Sequence, residues 1–405
     1  MTQIHPAQAH PAIRWQPLCA LAGVNGAVTL SWIIYRAHLA GLLTQAGFPG
    51  AWAPIILLVE SVLAIGIEPL AGLISDQTAQ QRQTRFPVIL LGVISTAVLF
   101  ISIPLLIQGL QPRGGVADWV PAVLLLWGIA ISLFRAPALA LLDRYAPLKL
   151  LPIAASAITL MGALASSATP LASPLILSFG PVASFILAGV LILVSGGWLR
   201  STSPDTETGI PRRAVTSPSW AALGWIFGVG FGVTLAFRLT VEWFPKVLQA
   251  QLPTVQPPLL VGLLFIALAV TALVAGKLAV QLGNHRVMLS GIGIAAALLL
   301  VMPFSRSVAV AILLALALGI AFSLVFNGTL PFALESVPPQ SVGLGVGMFF
   351  SGAATAVSVH SGVLNQLKGQ SLSLGIGLGL LALLVAGLCL MGRTQRPLSR
   401  ELENG

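Results

Sequence analysis

The sequence predicts an all-α membrane protein in which twelve transmembrane helices form two six-helix bundles related by a pseudo-twofold axis. Three observations carry that prediction. Hydrophobic residues make up 57% of the 405-residue chain and charged residues only 8%, with a mean hydropathy of +0.96, so no water-soluble surface can be built from it. Apolar runs of about 20 residues, the length that crosses a hydrocarbon core, recur twelve times and use nearly the whole chain. Short matches between the two halves recur in the same order, as described below.

Residues 1–16 precede the first run and are expected to lie in the cytoplasm. The first run is long, carries Arg36 and lacks a cleavage site, so it reads as a retained span, not a signal peptide. Gly, Pro and charge interruptions then delimit six runs near residues 17–43, 49–74, 87–110, 119–142, 152–178 and 180–199, the first bundle. A polar linker at 200–218 holds Pro204, Asp205, Glu207, Pro211, Arg212 and Arg213. Six further runs near 219–241, 258–282, 286–304, 308–334, 341–366 and 371–391 form the second bundle, and 392–405 is a tail.

The formal charge of +9 does not mark a nucleic-acid binder, because the basic residues are scattered singly along loops. Topology accounts for them. With the N-terminus inside, the inner segments hold Arg14, Arg82, Arg85, Arg144, Lys149, Arg200, Arg212, Arg213, Arg286, Arg393, Arg396 and Arg400. The outer loops hold Arg113, Lys246, Arg306 and Lys368. The positive-inside bias therefore puts both termini and the linker in the cytoplasm, in a cell (inner) membrane. Cys19 and Cys389 fall near inner helix ends, where no disulfide framework is expected.

Val28-Thr29-Leu30 recurs as Val233-Thr234-Leu235, displaced by 205 residues, and Gly72 recurs as Gly276, displaced by 204. Gly128-Ile-Ala-Ile-Ser-Leu matches Gly319-Ile-Ala-Phe-Ser-Leu at 191, the change reflecting shorter loops in the second half. Such an ordered series indicates parallel repeats about an axis along the membrane normal, with a substrate path between them.

Between the second and third runs the chain reads EPLAGLISDQTAQQRQTRFP, from Glu68 to Pro87. Gly72, Asp76 and a basic loop with Arg82 and Arg85 resemble the hinge between helices two and three of the major facilitator superfamily. Glu68-Pro69 and Arg85-Phe86-Pro87 are similar to the glycoside-pentoside-hexuronide:cation symporter and sucrose transporter branch. The resemblance implies that Asp76 faces the N-terminus of helix eleven, which begins Ser341-Val-Gly-Leu-Gly-Val-Gly347 and whose dipole favours an anion. Asp76 would then latch an inner gate. The second copy carries Val280 at that position, leaving the other side without a latch. The alternative is an Asp that merely ends a helix. Phe134 to Pro147 likewise resembles the superfamily's end of helix four, although Leu124 stands about where its usual arginine falls.

An ionisable side chain at mid-span costs at least about 2.5 to 3.5 kcal/mol, so each needs a partner or a task. Arg36, Glu60, Glu68, Arg135, Arg238 and His360 are the candidates. At about 1.5 Å per residue, Arg36 and Glu60 fall at depths an arginine can bridge, and Glu68 and Arg135 match in depth. In the glycoside-type symporters helix two carries two acidic residues four apart that bind the coupling cation. Glu68 occupies the second position but Ala64 the first, and one carboxylate suits a proton better than sodium. Glu68 with Arg135, and secondarily Glu60, are therefore read as a coupling site where proton and arginine compete, or else as a permanent ion pair. Arg36 and Arg238 lie on corresponding faces of the first helix of each half and suit an anionic or polyhydroxylated substrate. Glu242, four residues on, is an alternative partner for Arg238. Trp32, Asn25, Asn327 and Glu60 can stack on or bond to substrate, and His360 can relay a proton, meet substrate or serve as a hydrogen-bonded core residue.

The leading expectation is a monomeric secondary transporter of a small solute, sugar-like or an organic anion, driven by protons through alternating access. A pigment-delivery or assembly factor of the bacteriochlorophyll-delivery type, or an exporter of drugs and hydrophobic compounds, uses the same fold. Two tyrosines in the whole chain are few for a sugar site. No P-loop, metal-ligand spacing or nucleophile–base pair is present, so neither an enzyme nor a cofactor is expected.

Overall fold

The computed structural model describes residues 12–109, 119–203, 218–364 and 372–393. The first eleven residues, most of the linker and tail, and the loops holding Arg113 and Lys368 lie outside the described residues. Twelve helices are long and apolar enough to cross a membrane. They are α1 (Trp15–Gln45), α2 (Ala53–Arg82), α3 (Phe86–Gly109), α4 (Val120–Ala140), α5 (Leu151–Ser178) and α6 (Gly180–Thr202), then α7 (Trp220–Gln251), α8 (Pro257–Leu282), α9 (Asn284–Val301), α10 (Val308–Glu335), α11 (Val342–Gly362) and α12 (Leu372–Arg393).

Local chemistry sets their ends. Pro54, Pro121, Pro152, Pro181 and Pro258 sit in the first turns of their helices, where a missing N–H costs nothing. Ser219 and Ser307 cap α7 and α10, their hydroxyls accepting from the N–H of Ala222 and Val310. Gly283, at φ +93°, takes the tight α8–α9 turn that a side chain would strain.

Two helices run further than the sequence suggests. α2 continues through Asp76 to Arg82, so both lie on the helix and only Gln83, Thr84 and Arg85 connect it to α3. The Ala-Gln-Gln-Arg stretch is polar but helix-forming, and polarity alone reads as loop. α7 continues past Pro245 to Gln251, which puts Lys246 on a helix instead of in a loop.

Each bundle repeats the other's packing. α1 lies against α5 and α6, α2 against α4, and α3 against α4 and α6; α7 lies against α11 and α12, α8 against α10, and α9 against α10 and α12. Leu91, Val98, Val194, Val270 and Leu313 stay exposed on the outside, as lipid-facing side chains must. Between bundles, α2 runs along α11 and α5 along α8, with α4 also touching α11 and α5 touching α10. α1 and α7, the other potential pair, are not closely packed among the described residues. At the face carrying the α2–α3 connection, called here the hinge face, Gly72 meets Gly343 and Gly276 meets Pro152; toward the opposite face the same helix pairs still touch, Leu58 against Gly362 and Leu171 against Gly262, while α1 and α7 stand apart.

Candidate functional site

Where the bundles part they leave a cavity of about 660 Å³ lined from α1, α2, α4, α5, α7, α8, α10 and α11. The repeat governs its walls. Thr29 and Thr234, repeat equivalents, both line it, as do Trp32 and Phe237, which share the same displacement. Phe265, Phe326, Phe349 and Phe350 supply further aromatic surface.

Arg36, Arg135 and Arg238 reach this cavity, with Glu60 as the carboxylate in its wall. Arg36 stacks over the Trp32 ring at 5.5 Å. Neither Arg36 nor Arg238 makes an ion pair among the described residues, and the two are close enough across the bundles to feel each other's charge. Asn25 also lines the cavity while its Nδ2 donates to the Ile158 carbonyl at 3.1 Å, tying α1 to α5.

The pairing of these charges differs from the sequence expectation in two places. Glu60 is bonded to Tyr35, whose hydroxyl donates to Oε1 at 2.5 Å, and makes no direct ion pair with Arg36. Arg36 turns along Trp32 into the open cavity, so its attraction to Glu60 acts only at longer range. Glu242 does not hold Arg238. Its oxygens take Lys246 Nζ and His360 Nε2, each at 2.7 Å. The extra turns of α7 bring Lys246 into reach, and His360 is thereby drawn away from the cavity wall.

Asn327 is also off the wall. It is fully buried and its Nδ2 donates to the Ala272 carbonyl at 2.6 Å, a bond between α10 and α8. Phe326 and Thr329, its neighbours, face the cavity instead.

Glu68 and Arg135 form an ion pair, with Arg135 also over the Phe350 ring at 4.1 Å. Glu68 is wholly buried, and Gly347 of α11 lies against its backbone so closely that a Cβ would collide with the Glu68 carbonyl. This pair closes the cavity floor at the seam between bundles.

Toward the hinge face, Asp76 accepts from the N–H groups of Gly343 and Leu344 at 2.9 and 2.8 Å and from Arg85 Nη1 at 2.6 Å. Arg85 is buried and also donates to Ser75. Arg82 is exposed in the last turn of α2, where a cation suits the helix dipole. A Cβ on Gly72 would collide with the Gly343 carbonyl, so the two backbones touch. Gly276 makes the corresponding approach to the Pro152 carbonyl of α5. Pro152 stands 191 residues before Gly343, the displacement of the third sequence match, and has no N–H to donate. The asymmetry of the two seams is therefore double, since one side lacks both the carboxylate and the counterpart of one of its two N–H donors.

Tyr35, Trp127 and the phenylalanines of the wall escaped sequence reasoning. Trp127 is fully buried with ring centroids 4.8 Å from Trp32 and 4.4 Å from Tyr35. A signal for Tyr35 existed: a mid-span phenol beside Arg36 needs a hydrogen-bond partner. No comparable signal picks the wall phenylalanines out of seventeen.

The Major Facilitator Superfamily profile matches residues 61–361, and the chain belongs to that family of membrane transporters. It is thus a multi-pass integral membrane protein whose family moves small molecules across the bilayer. No curated protein sequence matches it. Among solved structures it is similar to a bacterial homologue of the iron transporter ferroportin in its outward-facing state, at 17% identity and TM-score 0.70, covering 95% of this chain and 100% of that one. It is also similar to the human organic anion transporter MFSD10 (TETRAN), at 16% identity and TM-score 0.64, covering 93% and 100%. At such identities the likeness concerns the fold.

Proposed function

We propose that this chain is a proton-coupled secondary transporter of a small organic anion, working by alternating access of its two bundles. The carrying observation is that Arg36 and Arg238, one from each bundle, face a common cavity without ion-pair partners among the described residues. Two like charges in a low-dielectric cleft repel, and an anion between them removes that cost. Aromatic walls suit a substrate with an apolar body beside its charge.

The glycoside-type resemblance at Glu68-Pro69 favours a neutral sugar instead. Against it stand three arginines and five phenylalanines in the cavity wall, beside its serines and threonines, and Asn25 is already bonded to α5. The name of the human neighbour, an organic anion transporter, agrees with the anionic reading but rests on fold likeness alone. Iron is said only of the ferroportin homologue.

With the hinge face read as cytoplasmic, the α4–α11 and α5–α10 contacts and the separation of α1 from α7 favour an outward-facing conformation. Purified protein in proteoliposomes tests the function. A panel of labelled organic anions and neutral sugars, offered under an imposed pH gradient, should show anion uptake that Arg36→Gln and Arg238→Gln each abolish. Uptake of sugars alone would overturn the anion assignment. No uptake together with a copurifying pigment would identify an assembly factor, and resistance to hydrophobic drugs on overexpression an exporter.

A further inference from the structure

We propose that Glu60, held by Tyr35 in the cavity wall, is the group that binds the coupling proton, and that its protonation releases the Arg36 charge to the substrate. The Glu68 and Arg135 pair is then a clasp between helices. This rests on the anion reading above and says which carboxylate links proton to anion.

The two carboxylates differ in access. Glu68 is wholly buried and its charge is matched by Arg135, although its Oε2, like that of Glu60, has no hydrogen-bond partner. Glu60 is among the residues lining the cavity, and its carboxylate has two unlike oxygens. Oε1 accepts the Tyr35 hydroxyl, whereas Oε2 is buried without a hydrogen-bond partner. A bare carboxylate oxygen in hydrocarbon is costly, and a proton is the smallest species that satisfies it.

The surroundings make that proton consequential. From α1, Tyr35 and Arg36 face Glu60. From α4, Gly128 packs against the Glu60 side chain and leaves it room, and the nearest ionisable group on that helix, Arg135, is taken by Glu68. From α11, Ser358 bonds to Ser61 and His360 is turned to Glu242. Across the cavity stands Arg238. Glu60 is therefore the one carboxylate in the cavity wall near Arg36.

Ionised, Glu60 attracts the Arg36 guanidinium and offsets its charge. When a proton joins Oε2, with the Tyr35 hydroxyl still donating to Oε1, Glu60 becomes neutral. Arg36 and Arg238 then present two uncompensated charges to an incoming anion. The sign follows directly: anion affinity is high below the Glu60 titration and falls as pH rises through it. Proton and anion thus enter together.

Two measurements on the purified full-length protein test this. Infrared difference spectra between acid and alkaline pH should show a protonated-carboxyl C=O band that Glu60→Gln removes, Glu68→Gln leaves, and Tyr35→Phe shifts upward. Calorimetry with benzenesulfonate, whose own charge is fixed, should show affinity rising at least about tenfold on acidification. Glu60→Gln should bind at the acid affinity at every pH, and Arg36→Gln should lose the pH dependence with the binding. A band removed by Glu68→Gln and kept in Glu60→Gln overturns the proposal, as does undiminished pH dependence in Glu60→Gln. Absence of anion binding at every pH strikes the proposed function, and the infrared band still decides the proton site.

Discussion

Arg135 reaches Glu68 from another helix, and the worth of that contact depends on what replaces it. Breaking a buried pair leaves a charge in low dielectric, whereas removing both partners leaves hydrocarbon packing. Arg135→Leu should therefore destabilise the protein by about 3 kcal/mol, read as thermal unfolding in detergent. Glu68→Leu combined with Arg135→Leu should recover most of the loss. Recovery would mark the pair as a clasp, while a double variant no better than the single would point to a conformational task. Matching depths along α2 and α4 made this pair legible in the sequence. The same arithmetic gave Arg36 as the partner of Glu60 and missed Tyr35, because depth says nothing about which way round a helix a side chain points. Asn327 failed for that reason too: it shares its depth with Phe326 and Thr329 but faces α8.

Helices α2 and α11 meet through bare backbone at Gly72 and Gly343 and again at Gly347 beside Glu68. A branched side chain at either contact must push the helices apart, and the Asp76 bonds to Gly343 and Leu344 stretch with them. Gly347→Val should shift the protein toward the state open at the hinge face. In a background without Cys19 and Cys389, a cysteine in place of Leu139, on the cavity wall near the floor, should then be alkylated from that face at least about tenfold faster. Asp76→Asn should act in the same direction with smaller effect, keeping one acceptor for the helix N-terminus while losing the charge pair with Arg85. Unchanged alkylation in both variants would remove this seam from gating. Glycine spacing and the single Asp were visible in the sequence. The helix ends were not, because Asp76 through Arg82 is polar and helical at once, and its helicity comes from docking on α11 as much as from propensity.

The bundle correspondence was legible from three short matches because the displacement between halves survives even where side chains diverge. Which face is open was not, since that depends on how α1 and α7 sit across the axis and no local pattern encodes it. Charge bears on the orientation. Among described residues the hinge face carries Arg14, Arg82, Arg85, Arg144, Lys149, Arg200, Lys277 and Arg286, against Lys246 and Arg306 opposite. Lys246 is spent on Glu242, which sharpens the contrast. Positive residues are held back from translocation, which is the ground for proposing that the hinge face lies in the cytoplasm. In intact cells a membrane-impermeant maleimide should label Ser361→Cys, at the outer part of the cavity wall, in the cysteine-free background. Arg82→Cys should be labelled only after the membrane is permeabilised. An anion bridging Arg36 and Arg238 draws the two bundles together, so benzenesulfonate should slow the labelling of Ser361→Cys, and should not do so when Arg238→Gln is added. Labelling of Arg82→Cys in intact cells would invert the topology and turn the outward-facing state into an inward-facing one. Labelling of Ser361→Cys that ignores the anion would separate substrate binding from closure, leaving the bundles to move for some other reason than charge.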